Sequence, residues 1–357
     1  MTAPAVDRNR ALRLLTRLLE IPSPSYEEAA LAAELVPAMR ELGFDAGIDA
    51  AGNVVGELRR GAGPTVLLIG HLDTVPGQLP VRSTGGRLYG RGAVDAKGPL
   101  AAMVCAAAAA TGFAGRLVVA GAVEEETPRS RGAVAIRQTH EPPSAVIVGE
   151  PSGWSTVVLG YKGKLDLRYE VTCPPTHPSN PAPKATELAA GCWARLVELL
   201  GPAAGHATFD RPGATLTSIS GDLTFARAEL SVRTPPGFDA AGLVAALRGR
   251  LPAGRLTVLN SVPACRVGRR DPVASALFAG IRRLDGRPTA KVKTATSDMN
   301  TLAEVWRVPM ATYGPGDSRL DHGDDEHIVL ADYFRAIDVL CLALAELRIP
   351  GATWSAA

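Results

Sequence analysis

The pattern of apolar residues changes twice along this chain, and that change limits the folds open to it. In the first part, short apolar runs alternate with stretches of helical spacing, as in Thr65–Ile69, Leu100–Ala110 and Leu117–Val123. Such alternation predicts an α/β fold with a largely parallel sheet. The same alternation of predicted strands and helices resumes late in the chain. We therefore predict one α/β domain that is built from residues 1–159 and 267–357.

Residues 160–266, between these two parts, follow a different pattern. Leu165–Val171 alternates apolar and polar residues with a period of two, as a half-exposed strand does. The predicted elements of this stretch follow one another as β-α-β-β-α-β, which is typical of a small two-layer, ferredoxin-like α+β domain. The sequence thus predicts an α/β domain that is interrupted by an inserted α+β domain.

A capping box is predicted at the start of the second helix. Ser25 is followed three residues later by Glu28, ahead of an apolar stretch that runs to about Leu42. In this motif the two side chains satisfy backbone N–H groups of the first helical turn. We expect the helix to open at Ser25 and to end before Gly43.

Charge and cysteine content exclude several classes of protein. The 357 residues carry a net charge of only +2, so a nucleic-acid partner is not indicated. The five cysteines are scattered and form no CxxC motif, which argues against a disulfide framework or a thiolate zinc site. The N-terminal stretch lacks a signal-peptide pattern, and no apolar run is long enough to span a bilayer. We expect a cytoplasmic protein with no membrane partner.

Histidine and carboxylate side chains follow several predicted strands directly. They are His71, Asp73, Glu125, Glu126 and Glu150, joined by Asp95 in a glycine-rich loop and by His322 after a Gly-Pro-Gly turn. Any one of them alone would be read as a solvated loop residue. In open α/β sheets, however, ligands bind beyond the carboxyl ends of the strands. Mixed His and carboxylate ligands suit zinc, cobalt or manganese, and two such ions about 3.5–4 Å apart form a hydrolytic site.

The segments that carry these residues resemble those of a family of dinuclear zinc metallopeptidases. That family includes aminoacylases, acetylornithine deacetylases, succinyl-diaminopimelate desuccinylases and glutamate carboxypeptidases. The matching segments are His71–Val75, Gly92–Gly98, Glu124–Glu126, Gly149–Pro151 and Gly314–Gly316 with His322. The resemblance covers nearly the whole chain. It implies an amide hydrolase with two divalent metal ions, of which zinc is the expected metal and cobalt or manganese the alternatives.

The resemblance also implies how the ligands are shared between the two metal ions. Asp95 would bridge the ions. His71 and Glu150 would complete the coordination of one ion, and Glu126 and His322 that of the other. A bridging carboxylate holds two cations close together and lowers their mutual repulsion.

Three further residues take catalytic roles by the same resemblance. Asp73 would accept a hydrogen bond from the far nitrogen of His71 and fix its tautomer. Glu125 would act as the general base, with Glu124 at a non-essential position, although the register could slip by one residue. His177, in a loop of the inserted domain, would reach into the partner's site of a homodimer and stabilise the oxyanion. Its alternative is an ordinary surface histidine.

One branch of the family is matched best. Gly160–Lys164, Pro263–Val267 and Thr296–Asn300 resemble the carrier-protein lysine/ornithine hydrolases. This implies release of lysine or ornithine from the C-terminal glutamate of a small acidic amino-group carrier protein, in lysine or arginine biosynthesis. The residues expected to contact the product are Arg266, Ser297, Asp298 and Asn300.

Other functions stay open at this point. A deacetylase of free N-acetyl-lysine or N-acetylornithine would need the same metal site, and the same carrier chemistry could serve a specialised pathway. A non-catalytic binder of amino acids or peptides would differ in one respect, because it has no need of a base such as Glu125. The family's Asn-Val-Pro segment is replaced by Gly221–Arg227, which leaves the lid's contact with substrate open.

Overall fold

The computed structural model describes residues 6–349, so both ends of the predicted α/β domain, residues 1–5 and 350–357, lie outside the described residues. The helices are α1 (Arg8–Glu20), α2 (Ala29–Arg40), α3 (Lys97–Ala109), α4 (Arg131–Thr139), α5 (Ala185–Leu200), α6 (Ala240–Arg250), α7 (Pro272–Arg283), α8 (Asp298–Ala303) and α9 (Leu330–Glu346). The strands are β1 (Asp45–Ile48), β2 (Val54–Arg60), β3 (Thr65–His71), β4 (Arg82–Thr84), β5 (Arg87–Tyr89), β6 (Gly115–Ala122), β7 (Ala145–Val148), β8 (Thr156–Tyr161), β9 (Gly163–Thr172), β10 (Gly213–Gly221), β11 (Phe225–Thr234), β12 (Arg255–Val262), β13 (Cys265–Arg266), β14 (Thr289–Lys293), β15 (Met310–Thr312) and β16 (His327–Val329).

The chain forms two compact units. The larger unit contains the described chain up to Gly160, Val267–Lys291 and the described chain from Thr301 onward. The smaller unit contains Tyr161–Arg266 and Val292–Asn300. The short segment Val292–Asn300 groups with the smaller unit because its backbone and side chains bond there, for example where the Lys162 N–H donates to the carbonyl of Lys293 across 3.1 Å. The sequence had placed that segment in the α/β domain.

The larger unit is built on a mixed sheet whose strands lie in the order β1-β2-β6-β3-β7-β15-β8. Strands β6, β3, β7 and β15 run parallel to one another, whereas β2 joins β6 in the antiparallel sense. Helix α3 packs on this sheet and is buried from Lys97 to Ala107, as its apolar sequence requires. Each fully buried Val or Leu side chain contributes about 1.5–3 kcal/mol. The largely parallel α/β fold predicted from the sequence is confirmed.

The smaller unit has the predicted order of elements, β9-α5-β10-β11-α6-β12. Its antiparallel strands lie in the order β10-β11-β9-β12. The apolar residues of β9 and β11 face α5 and α6 and form a separate core. The other face carries cross-strand ion pairs such as Arg168–Glu229 at 2.8 Å. The two-layer α+β prediction is confirmed, because strands of period two bury one face and expose the other.

The predicted capping box is wrong. Helix α2 begins at Ala29, and no side chain caps its N-terminus. The Ser25 hydroxyl instead donates to Oδ2 of Asp73 at 2.7 Å. The Glu28 carboxylate accepts the backbone N–H of Glu124 at 3.0 Å. Ser25 thus bonds to a distant loop, and Glu28 bonds both to a distant loop and to the nearby N–H of Tyr26 at 3.1 Å, which the local motif does not predict.

Two other expectations concern cysteines and membranes. All five cysteines are free and buried. Among residues 6–349, no helix combines the length and the apolar character that crossing a membrane requires.

Candidate metal centre

The candidate ligands come from loops at one edge of the central sheet. His71 is the last residue of β3, Glu126 lies four residues beyond the end of β6, and Glu150 lies two residues beyond the end of β7. These strands are adjacent and parallel, so their carboxyl ends meet at the same edge. Asp95 precedes α3, and His322 lies in the loop that follows β15. The fold therefore gathers residues that are up to 251 positions apart in the sequence.

Asp95 lies between two histidine rings. Its Oδ1 is 3.2 Å from Nε2 of His71, and its Oδ2 is 3.2 Å from Nε2 of His322. Each oxygen of this carboxylate thus faces a different imidazole. That is the arrangement a carboxylate needs in order to bind two cations at once.

The remaining carboxylates complete the two sides of this arrangement. Glu150 Oε1 lies 3.8 Å from Nε2 of His71, and Glu126 Oε1 lies 2.8 Å from Nε2 of His322. Two ligands of one tetrahedral zinc ion, each about 2.0–2.2 Å from it, are about 3.3–3.6 Å apart. The four donor spacings around Asp95 run from 2.8 to 3.8 Å, so each lies within about 0.5 Å of that separation. The residues present therefore suit two divalent cations.

Glu125 lies beside these ligands. Ligand atoms of His71, Glu125 and Glu150 all fall within 4.8 Å of one another, as do those of His71, Asp95 and Glu126. A carboxylate so close to these atoms could reach a water molecule bound to a metal ion at this site, or could bind the ion itself. The role of Glu125 as general base stays a prediction.

The charges at the site favour a cation. Burial lowers the pKa of His71, but its hydrogen bonds to Asp73 and Asp95 outweigh burial and raise that pKa well above its ordinary value. Hydrogen bonds to Asp95 and Glu126 raise the pKa of His322 to about 10. Both shifts have one cause, which is an excess of carboxylates around two imidazoles. A proton relieves this excess in the metal-free protein, and a metal ion relieves it in the same way.

Asp73 contacts more groups than the one predicted. Nδ1 of His71 lies 2.7 Å from the backbone carbonyl of Asp73 but 3.5 Å from its carboxylate. The carboxylate accepts the backbone N–H groups of Glu125 at 2.9 Å and Glu126 at 3.0 Å. Burial would raise the pKa of Asp73, but the nearby His71 ring and these hydrogen bonds lower it below its ordinary value. Asp73 is therefore ionised and fixes the backbone of the two glutamates that follow β6.

The Glu124 carboxylate pairs with Arg131, which is outside the candidate ligand set. Its Oε1 accepts from Nε of Arg131 at 2.6 Å, and its backbone has a left-handed φ of +58°. The side chain of Glu126 contacts His322, as described above. These contacts favour the register that assigns Glu125, and not Glu124, to the chemistry.

His177 and the four predicted product contacts lie in the smaller unit. His177 is exposed, and its Nδ1 lies 2.7 Å from the hydroxyl of Ser179. Arg266 pairs with Asp210 at 3.5 Å. The amide of Asn300 donates to the carbonyls of Lys162 at 3.1 Å and Pro263 at 2.9 Å, so it holds backbone segments together.

Two neighbours of Asn300 are also buried within this unit. The Ser297 hydroxyl accepts the Met299 N–H at 3.2 Å, and Asp298 is the first residue of α8. The predicted product contacts of Arg266, Ser297, Asp298 and Asn300 stay predictions.

Four residues around the site were missed at the sequence level. Ser25 and Glu28 support the loops of Asp73 and Glu124, and Arg91 and Glu326 form a buried ion pair beneath Asp95. The sequence pattern of Ser25 and Glu28 indicates only a helix cap. Glu326 stands in the acidic stretch Asp324–Glu326, where nothing in the sequence separates it from its exposed neighbours.

Comparison with known proteins gives a consistent picture. The model of peptidase family M20/M25/M40 matches residues 67–346 of this chain. The LysW-lysine hydrolase of Deinococcus radiodurans is 42% identical to it over 96% of this chain and 99% of its own. A putative LysW-lysine/LysW-ornithine hydrolase of Thermococcus kodakarensis is 37% identical over 96% of this chain and 94% of its own.

Solved structures share the fold at lower sequence identity. A metallo-carboxypeptidase from Sulfolobus solfataricus superposes with a TM-score of 0.81 at 18% identity, covering 94% of this chain and 99% of its own. A tripeptidase from Staphylococcus aureus superposes with a TM-score of 0.80 at 18% identity, covering 95% of this chain and 98% of its own. At such identities the likeness concerns the fold alone.

Proposed function

The chain belongs to peptidase family M20/M25/M40, a family of dinuclear metal-dependent hydrolases, and we propose that it releases lysine or ornithine from an amino-group carrier protein. The bond cleaved would be the amide between the γ-carboxyl of the carrier's C-terminal glutamate and the α-amino group of the product. The names of the relatives from Deinococcus and Thermococcus support this substrate. The product would enter lysine or arginine biosynthesis in the cytoplasm.

The observation that carries the hydrolytic part of this proposal is the position of Asp95. Its two oxygens face His71 and His322 at equal distances of 3.2 Å. In the proposal, Asp95 is shared, Glu150 joins His71, and Glu126 joins His322. Zinc suits this set of nitrogen and oxygen donors. When bound, the two ions would polarise the scissile carbonyl and lower the pKa of the attacking water.

Glu125 would move the proton. Its carboxylate takes a proton from the attacking water and passes it to the leaving amine, which must be protonated before it departs. The hydrogen bond from its backbone N–H to Asp73 supports this role, because it holds the base at a fixed position relative to His71. Glu125 and Glu126 lie together in the turn that follows β6, with Glu126 against His322 and Glu125 near His71 and Glu150. Glu125 and Glu126 can therefore serve as base and ligand side by side.

The inserted domain, residues 160–266, would serve as the dimerisation and lid domain of a homodimer, between catalytic segments 1–159 and 267–357. The partner subunit's His177 would then donate to the oxyanion of the tetrahedral intermediate. The exposure of His177 on the loop between β9 and α5 supports this role. Its Nδ1 contacts Ser179, so Nε2 is the proposed donor.

Basic residues would help the enzyme to meet an acidic carrier. Arg269 and Arg270 are both exposed on the larger unit. Opposite charges on the two proteins would raise the rate of encounter more than they would raise affinity. Such steering weakens with salt, because screening shortens the reach of charges to about 8 Å at 0.15 M ionic strength.

The experiment compares substrates on one preparation of enzyme. Zinc-loaded protein is given carrier-linked lysine, carrier-linked ornithine, N-acetyl-lysine and N-acetylornithine, and the free amino acid is measured. We expect kcat/KM for a carrier-linked substrate to exceed that of its acetylated counterpart at least tenfold, and to fall more steeply with salt. The Glu125→Gln variant controls for contaminating hydrolases. Preference for the acetylated substrates would assign the protein to the small-molecule deacetylases instead.

A further inference from the structure

A buried ion pair, Arg91 and Glu326, lies against the backbone of two loops that carry candidate metal ligands. Nη1 of Arg91 is 2.9 Å from Oε2 of Glu326, and these side chains are only 5% and 1% exposed. Neither residue belongs to the proposed ligand set or takes part in the proposed chemistry. Burying two charges is costly unless their remaining hydrogen-bonding atoms also find partners. Where those partners lie therefore indicates what the pair does.

Glu326 holds the backbone of the loop that carries Asp95. Its Oε1 accepts the N–H groups of Val94 at 2.9 Å and of Asp95 at 3.2 Å. Its own carbonyl accepts the N–H of Gly90 at 3.2 Å. The loop from Gly90 to Asp95 is thus folded around one glutamate. The position of the Asp95 backbone, and with it the reach of its carboxylate, depends on Glu326.

Arg91 holds the backbone next to His322. Its Nη1 donates to the carbonyl of Gly323 at 3.0 Å, and its Nε donates to the carbonyl of Gly77 at 2.9 Å. His322 has a φ of +62°, a left-handed conformation that a non-glycine residue adopts only when its surroundings enforce it. The bond to Gly323 fixes the chain immediately after this strained residue. Arg91 therefore helps to keep the His322 ring turned toward Asp95.

We propose that Arg91 and Glu326 form a positioning pair that sets the spacing of Asp95 and His322 for metal binding. The inference rests on the proposed function in one respect, because it takes over the ligand set of the two ions. It also assigns a different metal ligand to each residue of the pair. Glu326 acts on Asp95, which both ions share, whereas Arg91 acts on His322, which serves one ion only.

This assignment predicts different metal-binding defects for the two residues. Loss of the Arg91 contacts should weaken the binding of one ion and leave the binding of the other unchanged. Loss of Glu326 should weaken the binding of both ions. Partners that orient metal ligands are typically worth about 10–100-fold in metal affinity. A pair that only stabilised the fold would lower the melting temperature without separating the two ions.

Three variants test the proposal. Arg91→Lys keeps the charge but loses the fork that reaches Gly77 and Gly323 together. Arg91→Met combined with Glu326→Leu removes both charges, so that no unpaired charge stays buried and the chain is expected to fold. Arg137→Lys is the matched control, because Arg137 also pairs with a glutamate, Glu304 at 2.6 Å, and donates to a backbone carbonyl, that of Thr301.

The measurement is titration of metal-free protein with Zn²⁺ against a competing chelator, together with the melting temperature of the metal-free protein. Wild type should bind two ions. Arg91→Lys should bind one ion as tightly as wild type and the other about 10–100-fold more weakly. The double variant should bind both ions more weakly. Arg137→Lys should bind both ions as wild type does, even if its melting temperature falls as far as that of Arg91→Lys.

The same Arg91 substitution, made in a His322→Ala variant, shows whether Arg91 acts through His322. In His322→Ala, which retains the other ion, adding Arg91→Lys should not weaken zinc binding further, since the group it positions is already gone. Further weakening there, or unchanged binding of both ions by Arg91→Lys alone, overturns the inference. Wild type that binds fewer than two ions overturns the ligand set of the proposed function, and this inference with it.

Discussion

The backbone N–H of Glu125 donates to Oδ1 of Asp73 across 2.9 Å. The other oxygen of that carboxylate accepts the N–H of Glu126 at 3.0 Å and the hydroxyl of Ser25 at 2.7 Å. One buried aspartate thus fixes both the proposed base and a proposed ligand. The sequence predicted a simpler role, in which the carboxylate only oriented His71.

Replacing Asp73 by asparagine should disturb the base more than substrate binding. An amide has one acceptor oxygen, so its NH2 group would face the N–H of either Glu125 or Glu126. We expect kcat to fall about 10–100-fold with a smaller change in KM, as for other groups that orient active-site residues. Steady-state kinetics on the carrier-linked substrate measure this. Ser25→Ala, which removes only one of the contacts to Asp73, is the milder control, and normal kcat in Asp73→Asn would contradict the role.

The adjacent glutamates Glu124 and Glu125 should respond very differently to the same change. Glu125→Gln should still bind two metal ions but lose at least about 10²-fold in kcat, the lower end of what proton transfer contributes. Glu124→Gln should stay within a few-fold of wild type, because the Glu124 carboxylate pairs with Arg131. Metal content and turnover are measured on both variants. The reverse pattern would shift the register by one residue.

The histidine pKa shifts predict how the metal-free protein responds to pH. The pKa of His322 is raised to about 10 by Asp95 and Glu126, above the value of about 6.5 for an unfolded chain. A raised pKa in the folded state contributes stability below pH 6.5, and this contribution is lost as pH rises toward 10. The free energy of unfolding of the metal-free protein should therefore fall over that window. Chemical denaturation at several pH values, with His322→Gln as control, measures this, and an identical pH dependence in the variant would count against it.

Metal affinity should change in the opposite direction over the same pH range. An imidazole must lose its proton before it binds zinc, so zinc competes with the proton on His322. The apparent affinity for zinc should rise between about pH 6.5 and 10, with release of protons on binding. Calorimetric titration in buffers of different ionisation enthalpy counts those protons. Binding without proton release would place His322 outside the metal site.

Mixing two inactive proteins should restore activity if the site is shared between subunits. His177→Ala and Glu125→Gln each disable the reaction in a different way. A mixed dimer holds one site in which both residues are intact, so activity should return to a fraction of the wild-type value as subunits exchange. Exchange is followed independently with two differently tagged chains. Full exchange without recovery of activity would remove His177 from the chemistry.

The sequence predicted those parts of the molecule whose signals are local. Leu165–Val171 shows its strand through a period of two, and α5 shows its helix through apolar spacing. The ligands could be predicted because they follow strands and match a known family. The three-residue strand β4 is exposed throughout and has no such signal. Arg91 and Glu326 are 235 positions apart, so only the folded chain reveals their contact.

The number of zinc ions that Asp95→Ala binds tests the central claim most directly. If Asp95 serves both ions, then removing its carboxylate takes a ligand from each, whereas removing Glu150 or Glu126 takes a ligand from one. Elemental analysis after equilibration with slightly more than two equivalents of zinc should find two ions in wild type and in Glu125→Gln, about one in Glu150→Ala, and almost none in Asp95→Ala. Asp95→Ala that still holds two tightly bound ions would contradict the account.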